Sequence, residues 1–172
     1  YVAYNCVVLA KQVPDTHRIT GKVMNDDGTV NRSALPAIFN PEDLNALELA
    51  LGIKDRFGGR VTVATMGLPG ATRILRESLY RGADEAILVT DIRCAASDTL
   101  ATSYILSCAV RKLDYDIVLC GRQAIDGDTA QVGPQLAEKL CITQITYIEA
   151  MEDLHNDTIQ VRRNIGNGWQ SV

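Results

Sequence analysis

The sequence has no CxxC pair and only two histidines, His17 and His155, which lie far apart with no ligand spacing around them. A zinc centre needs several such ligands at short intervals, so no metal site is expected. The five cysteines, Cys6, Cys94, Cys108, Cys120 and Cys141, are odd in number, widely spaced and set mostly in apolar segments. That pattern reads as buried thiols rather than bridges. No apolar run approaches the ~18 residues of a membrane span, and no basic-then-apolar leader opens the chain. Membrane insertion is therefore not expected, and the cytoplasm or an organelle matrix is the expected compartment. Basic charge is not in excess either: 17 Lys and Arg stand against 21 Asp and Glu, a net charge of −4. Without a basic stripe carrying interleaved aromatics, nucleic acid is not an expected partner. There is also no glycine fingerprint, no phosphate-loop lysine motif, no internal repeat and no low-complexity segment.

What is present is a globular composition, 47% hydrophobic and 22% charged over 172 residues, enough for one well-buried domain. Short apolar runs alternate with amphipathic ones. Strands are expected at 5–10, 60–64, 86–89 and 117–120, separated by helices from Pro41 to near Gly58-Gly59, at 71–80, 99–113 and 132–140. Four such units imply a doubly wound, mostly parallel α/β sheet of Rossmann-like type. The segment 19–30 reads as a hairpin turned at Asp26-Asp27-Gly28. Strands at 144–149 and 158–162, joined around Asn156-Asp157, read as an antiparallel addition to the sheet edge. After Gly166-Asn167-Gly168-Trp169 one more strand is expected, as in a fragment of a longer protein.

Polar clusters follow all four parallel strands, so they gather at the carboxyl edge, where open α/β sheets bind ligands. Leu9, Ala10 and Lys11 end the first strand. Asn40-Pro41-Glu42-Asp43 opens a helix: asparagine at the cap, proline at the first helical position, two carboxylates at the positive end of the dipole. Capping and ligand binding both remain open for these residues. Asp98 is a second capping residue, and Thr99 and Thr102 lie one turn apart on the helix behind it. The fourth strand leads into GRQAIDGDTAQVGPQ, a loop that turns at Gly121 before a helix N-terminus able to offer free N–H groups to an anion. The plainer reading of that loop is an ordinary connection in which Asp128 or Thr129 caps the helix.

Three passages, VLAKQVPDT (8–16), NPEDLNALELAL (40–51) and residues 120–135, together with Arg81-Gly82-Ala83-Asp84, resemble the β subunit of electron transfer flavoproteins, called FixA in nitrogen-fixing bacteria. The resemblance implies an adenine-nucleotide site. Its contacts would fall on Leu9, on Asn40, Pro41, Glu42 and Asp43, on Met66 through its backbone, and on Gly121, Arg122, Gln123, Ala124, Ile125, Asp126, Gly127, Asp128, Thr129, Ala130, Gln131 and Val132. Members that hold a structural AMP tend to carry a lysine and extra acidic or asparagine residues in the loop. Arg122, Gly127, Thr129 and Pro134, with the run from Asp98 to Thr102, are instead similar to the electron-bifurcating members, in which FAD takes the AMP position. FAD is thus the implied cofactor, AMP the alternative. Thr99, Thr102, Asp128 and Thr129 would meet pyrophosphate or ribose, and Arg122 would supply a cation.

No catalytic side chain is implied, because the chemistry belongs to the cofactor. The implied partners are an α subunit with a second FAD, an acyl-CoA dehydrogenase or quinone-directed oxidoreductase, and NADH in the bifurcating case. Family β subunits are longer, and their C-terminal part embraces the α subunit. Two other readings share the fold. A regulatory nucleotide-binding module of the universal-stress type would want a glycine-rich phosphate loop in the last third. An ATP-pyrophosphatase-like enzyme would want Ser-Gly-Gly where Lys11-Gln12-Val13-Pro14 stands.

Overall fold

The structure, a computed structural model, describes residues 2–15, 18 and 35–172. The hairpin expected at 19–30 lies outside the described residues. In chain order the elements are β1 (Cys6–Leu9), β2 (Gln12–Pro14), β3 (Ala37–Phe39), α1 (Pro41–Phe57), β4 (Val61–Met66), α2 (Thr72–Arg81), β5 (Glu85–Val89) and α3 (Thr99–Val110). There follow β6 (Ile117–Cys120), α4 (Val132–Leu140), β7 (Ile148–His155), β8 (Thr158–Asn164) and β9 (Trp169–Ser171).

The apolar runs form a parallel sheet in the order β5-β4-β1-β6. β1 lies centrally, with Leu9 level with Ala64 on one side and Cys120 on the other. Its four residues are all buried, which is why it carries no alternation of polar and apolar positions. Cys6 and Val8 face a core layer built with α1 and α2, from Leu47, Ala50, Ile53 and Ile74. Val7 and Leu9 face a second layer built with α3 and α4, from Leu106, Val110 and Leu136. Val7, Val8, Val61 and Val63 have no exposed surface, each contributing about 1.5–3 kcal/mol of burial. The chain runs outward from β1 to β4 and β5, then returns to the other side of β1 as β6. The strand order therefore reverses between β1 and β6, and a crevice opens there at the carboxyl edge.

The antiparallel strands pair among themselves. β7, β8 and β9 make a three-stranded sheet of their own rather than hydrogen-bonding to the parallel edge, and the strand expected at 144–149 instead starts at Ile148 and runs up to the turn at Asn156. Leu154, Met151 and Ile159 attach it instead to the α1–α2 core layer. β2 pairs with β3, so Pro14, which reads as the start of a turn, lies opposite Ala37 in a short ribbon.

The cysteines correct the expectation of buried thiols. All five are free, but while Cys6 is buried, Cys94 and Cys120 are half-buried and Cys108 and Cys141 are exposed. Cys108 is two residues from Leu106 on α3, a rotation that carries it off the core-facing side. Burial, with Asp116 nearby, pushes the Cys6 thiol up to about 11.

Candidate functional site

A cavity of about 660 Å³ opens at the outlets of β1, β4, β5 and β6, on the α3–α4 side of the sheet. Its floor is the upper edge of the second core layer, Leu9, Met66, Leu106, Cys120 and Val132. One wall is the loop from Gly121 through Gly133, and the opposite wall is formed by residues 67–69 and 90–97 with the start of α3. Among the expected site residues, Leu9, Asp43, Met66, Asp98, Thr99, Thr102, Gly121–Ala124 and Gly127–Val132 line this space. Asn40, Pro41, Glu42, Ile125 and Asp126 do not.

Those outer residues hold the loop. Asn40 is completely buried, and although it stands at the N-cap of α1 its side chain does not cap the helix. Its Nδ2 donates instead to the Gln123 carbonyl (2.9 Å) and its Oδ1 accepts from the Ile125 N–H (3.2 Å). Glu42 accepts from the Gln123 N–H (3.2 Å) and from Arg122 (3.1 Å). Asp43 reaches the crevice itself, accepting from the Lys11 N–H (2.8 Å) and the Gly121 N–H (3.1 Å). The first turn of α1 thus ties the ends of β1 and β6 together, a role that neither capping nor ligand binding describes.

Burial pushes the Asp43 carboxyl up to about 6, against the opposing pull of its hydrogen bonds from Asn40, Lys11 and Gly121, with Glu42 adding to the rise. Burial likewise pushes the Cys120 thiol up to about 12, with Asp43 as the second cause. Cys120 therefore remains a protonated, inert part of the floor.

Asp98 caps α3 as expected, accepting from the Ala101 N–H at 2.7 Å. Thr99 donates to the Gln131 side chain (2.9 Å), joining the start of α3 to the loop. Neither Asp128 nor Thr129 caps α4, whose N-cap is Gln131 and which has no side-chain cap at all. Asp128 accepts from Gln123 Nε2 (2.9 Å), across the neck of the loop. Three non-glycine residues on the cavity wall, Ala96, Asp128 and Ala130, have left-handed backbone. Ala130 at φ 53° followed by Gln131 at φ −101° is the alternation that turns successive N–H groups to one concave side. The uncapped start of α4 adds its own first-turn N–H groups there.

Side-chain charge favours no highly charged anion. The lining carries four carboxylates, Asp43, Asp91, Asp98 and Asp128, and two cations, Lys11 and Arg122. Lys11 Nζ is paired with Asp126 (2.7 Å), and the Arg122 guanidinium lies between Glu42 and the Tyr147 ring. Arg93, outside the lining, is spent on Asp91 and holds that carboxyl well below its ordinary range through its hydrogen bonds.

Sequence reading missed residues 90–97 and 67–69 as a wall. Their signal was weak: Leu68 and Ile92 are 74% and 84% exposed, apolar side chains at loop positions that no core requires.

The sequence profile of the electron transfer flavoprotein domain matches residues 27–170. The chain is 50% identical over 168 residues to the electron transfer flavoprotein subunit beta of Clostridium acetobutylicum, covering 98% of this chain and 64% of that protein. It is 47% identical to protein FixA of Bradyrhizobium diazoefficiens, over 95% of this chain and 59% of the relative. It is 46% identical to the caffeyl-CoA reductase-Etf complex subunit CarD of Acetobacterium woodii, over 96% and 63% respectively. The chain thus spans somewhat under two thirds of the length of these relatives. No helix among the described residues is long and apolar enough to cross a membrane. Joined to a parallel sheet whose outlets enclose a loop-walled cavity, these likenesses establish that the chain belongs to the electron transfer flavoprotein family, among its β subunits.

Proposed function

We propose that the cavity holds FAD, with AMP the alternative occupant of the same position. In the cytoplasm, with an α subunit, the full protein passes electrons between NADH or a dehydrogenase and an acceptor oxidoreductase by flavin-based bifurcation. The observation that carries this reading is the cavity at the switch point of the sheet, walled by residues 121–133. Its volume lies in the ordinary range for cofactor-sized ligands, roughly 300–1,000 Å³.

The residues present fit such a group. A Cβ built at Gly127 meets no atom within 4 Å, and Gly127 lines the cavity, so the absent side chain leaves room where a ligand would lie. Met66, Leu68, Pro69 and Ile92 offer an apolar wall to a planar ring. The N–H groups around Ala130, Gln131 and Val132 would receive a phosphate, and Thr102 and Thr129, which line the cavity, would meet ribose or phosphate oxygens. A lining with more carboxylates than cations suits the two charges of a diphosphate diester better than a triphosphate, which favours this reading over an ATP-binding regulatory module.

When bound, the flavin supplies the electron chemistry. The chain's residues bind and orient it, exclude water with the apolar wall, and keep the Cys120 thiol protonated. The α partner is proposed from the family. The reductase-complex name of the Acetobacterium relative supports an acyl-CoA-directed oxidoreductase as acceptor, and a quinone-directed one remains the other proposed partner.

A visible spectrum with cofactor extraction, taken on the full-length protein with its α subunit, tests the proposal. Two FAD per heterodimer are expected. One FAD with one AMP would give the site to AMP and remove the basis for bifurcation.

A further inference from the structure

Asp43 is a buried carboxylate at the cavity whose hydrogen bonds run to the chain's own backbone. It sits in the first turn of α1, 7% exposed, and its two oxygens accept from two different strand outlets, Lys11 after β1 and Gly121 after β6. These outlets flank the crevice where the strand order reverses, and both residues line the cavity. The carboxylate takes space that any side chain at position 121 would need, since a Cβ there would lie 2.4 Å from Asp43 Oδ1.

We propose that Asp43 is a positioning residue whose ionised carboxylate clamps the outlets of β1 and β6 at the spacing the bound nucleotide requires. The inference rests on the nucleotide reading of the cavity given above. An ionised carboxylate accepts both N–H groups at once. The protonated acid keeps one good acceptor and turns an O–H toward the other amide, so the two outlets are no longer held equally. The groups facing Asp43 set the direction of the effect. Glu42 on α1 is already engaged by Arg122, Lys11 directs its ammonium to Asp126, and the Cys120 thiol of β6 stays protonated. No cation in the described structure therefore neutralises Asp43, and its raised value near 6 puts the change within reach of mild acid.

Two effects compete on acidification. Loss of the clamp weakens binding, whereas loss of a negative charge beside the cavity strengthens binding of an anion. Because the charge faces backbone N–H groups, the clamp dominates and affinity falls with falling pH.

The experiment uses the full-length protein as purified, stripped of nucleotide, with FAD as the probe. AMP is unsuitable because the second ionisation of its phosphate, at about 6, falls in the same window. FAD affinity is expected to drop about tenfold from pH 8 to pH 5, the size of one lost charge-assisted hydrogen bond. Asp43→Asn is expected to bind weakly at both pH values and to lose the slope. In wild-type protein labelled with ¹⁵N at glycine and lysine, the Gly121 and Lys11 amide resonances are expected to titrate together with one midpoint. Amides that do not move, affinity that rises in acid, or a slope that persists in Asp43→Asn would overturn the clamp while leaving the nucleotide site standing. Gly127→Trp separates the two ideas by filling the cavity. If wild-type protein takes up no FAD, or Gly127→Trp takes it up equally well, the nucleotide reading falls and the clamp's role falls with it.

Discussion

Asp43 Oδ1 accepts the Gly121 N–H at 3.1 Å and lies 2.4 Å from where a Cβ on Gly121 would be. Helix and strand can approach this closely only because residue 121 has no side chain. The contact sets how far β6 stands from α1, and hence where the loop begins.

Gly121→Ala should therefore be damaging despite its small size. The added methyl also meets the backbone of Glu42 and Asp43, at 2.6 and 2.7 Å, and backbone cannot swing aside. A loss of about 1–3 kcal/mol is expected in denaturant unfolding, the range for an overpacked interior. An unchanged midpoint would mean that the outlet is free to move.

Asn40→Ala should cost about 2–4 kcal/mol, because it strands the Gln123 carbonyl and the Ile125 N–H in a part-buried position. Asn40→Asp should not rescue it. The aspartate lacks the Nδ2 donor and brings a second buried carboxylate near Asp43. Thermal unfolding measures the cost, and proteolysis within residues 121–130 should accelerate in both variants.

The raised value of Asp43 carries a sign for stability. The folded state holds this proton more tightly than the unfolded chain, so the contribution is fully present below the ordinary 3.8 and is lost as pH rises through about 6. The loss is about 2–3 kcal/mol at 1.36 kcal/mol per unit. Unfolding free energies measured from pH 3.5 to 7 should show this decline in wild type. In Asp43→Asn the slope should flatten, with the whole curve lowered because one amide loses its acceptor.

Gly127→Ala should leave stability within about 0.5 kcal/mol, since the new methyl meets nothing and the position needs no left-handed backbone. Retention of FAD should nevertheless fall, by about tenfold for the loss of contact worth ~1.4 kcal/mol. Equilibrium dialysis beside a melting curve separates the two effects.

The alternation of strand and helix is legible in the sequence. Ile117–Cys120 and Val132–Leu140 fall where the apolar run and the helical period put them, and Asp98 caps its helix as its position before Thr99 implies. These signals are local: hydrophobic period, cap chemistry and glycine or proline punctuation act over a few residues and need no knowledge of distant partners. The NPED run was likewise recognisable as a helix start, but not as a fastening for a loop about 80 residues further on. An asparagine before proline carries the same letters whether its amide turns back to its own helix or outward to Gln123 and Ile125. Which one occurs depends on β6 arriving beside β1, a pairing of residues more than a hundred positions apart. The same long-range placement explains why Pro14 joined a ribbon with Ala37, why Lys11 found Asp126, and why residues 90–97 became a wall. Periodicity orders the elements along the chain, whereas the cavity exists only where separately encoded strand ends are brought to one edge and held there by side chains from another element.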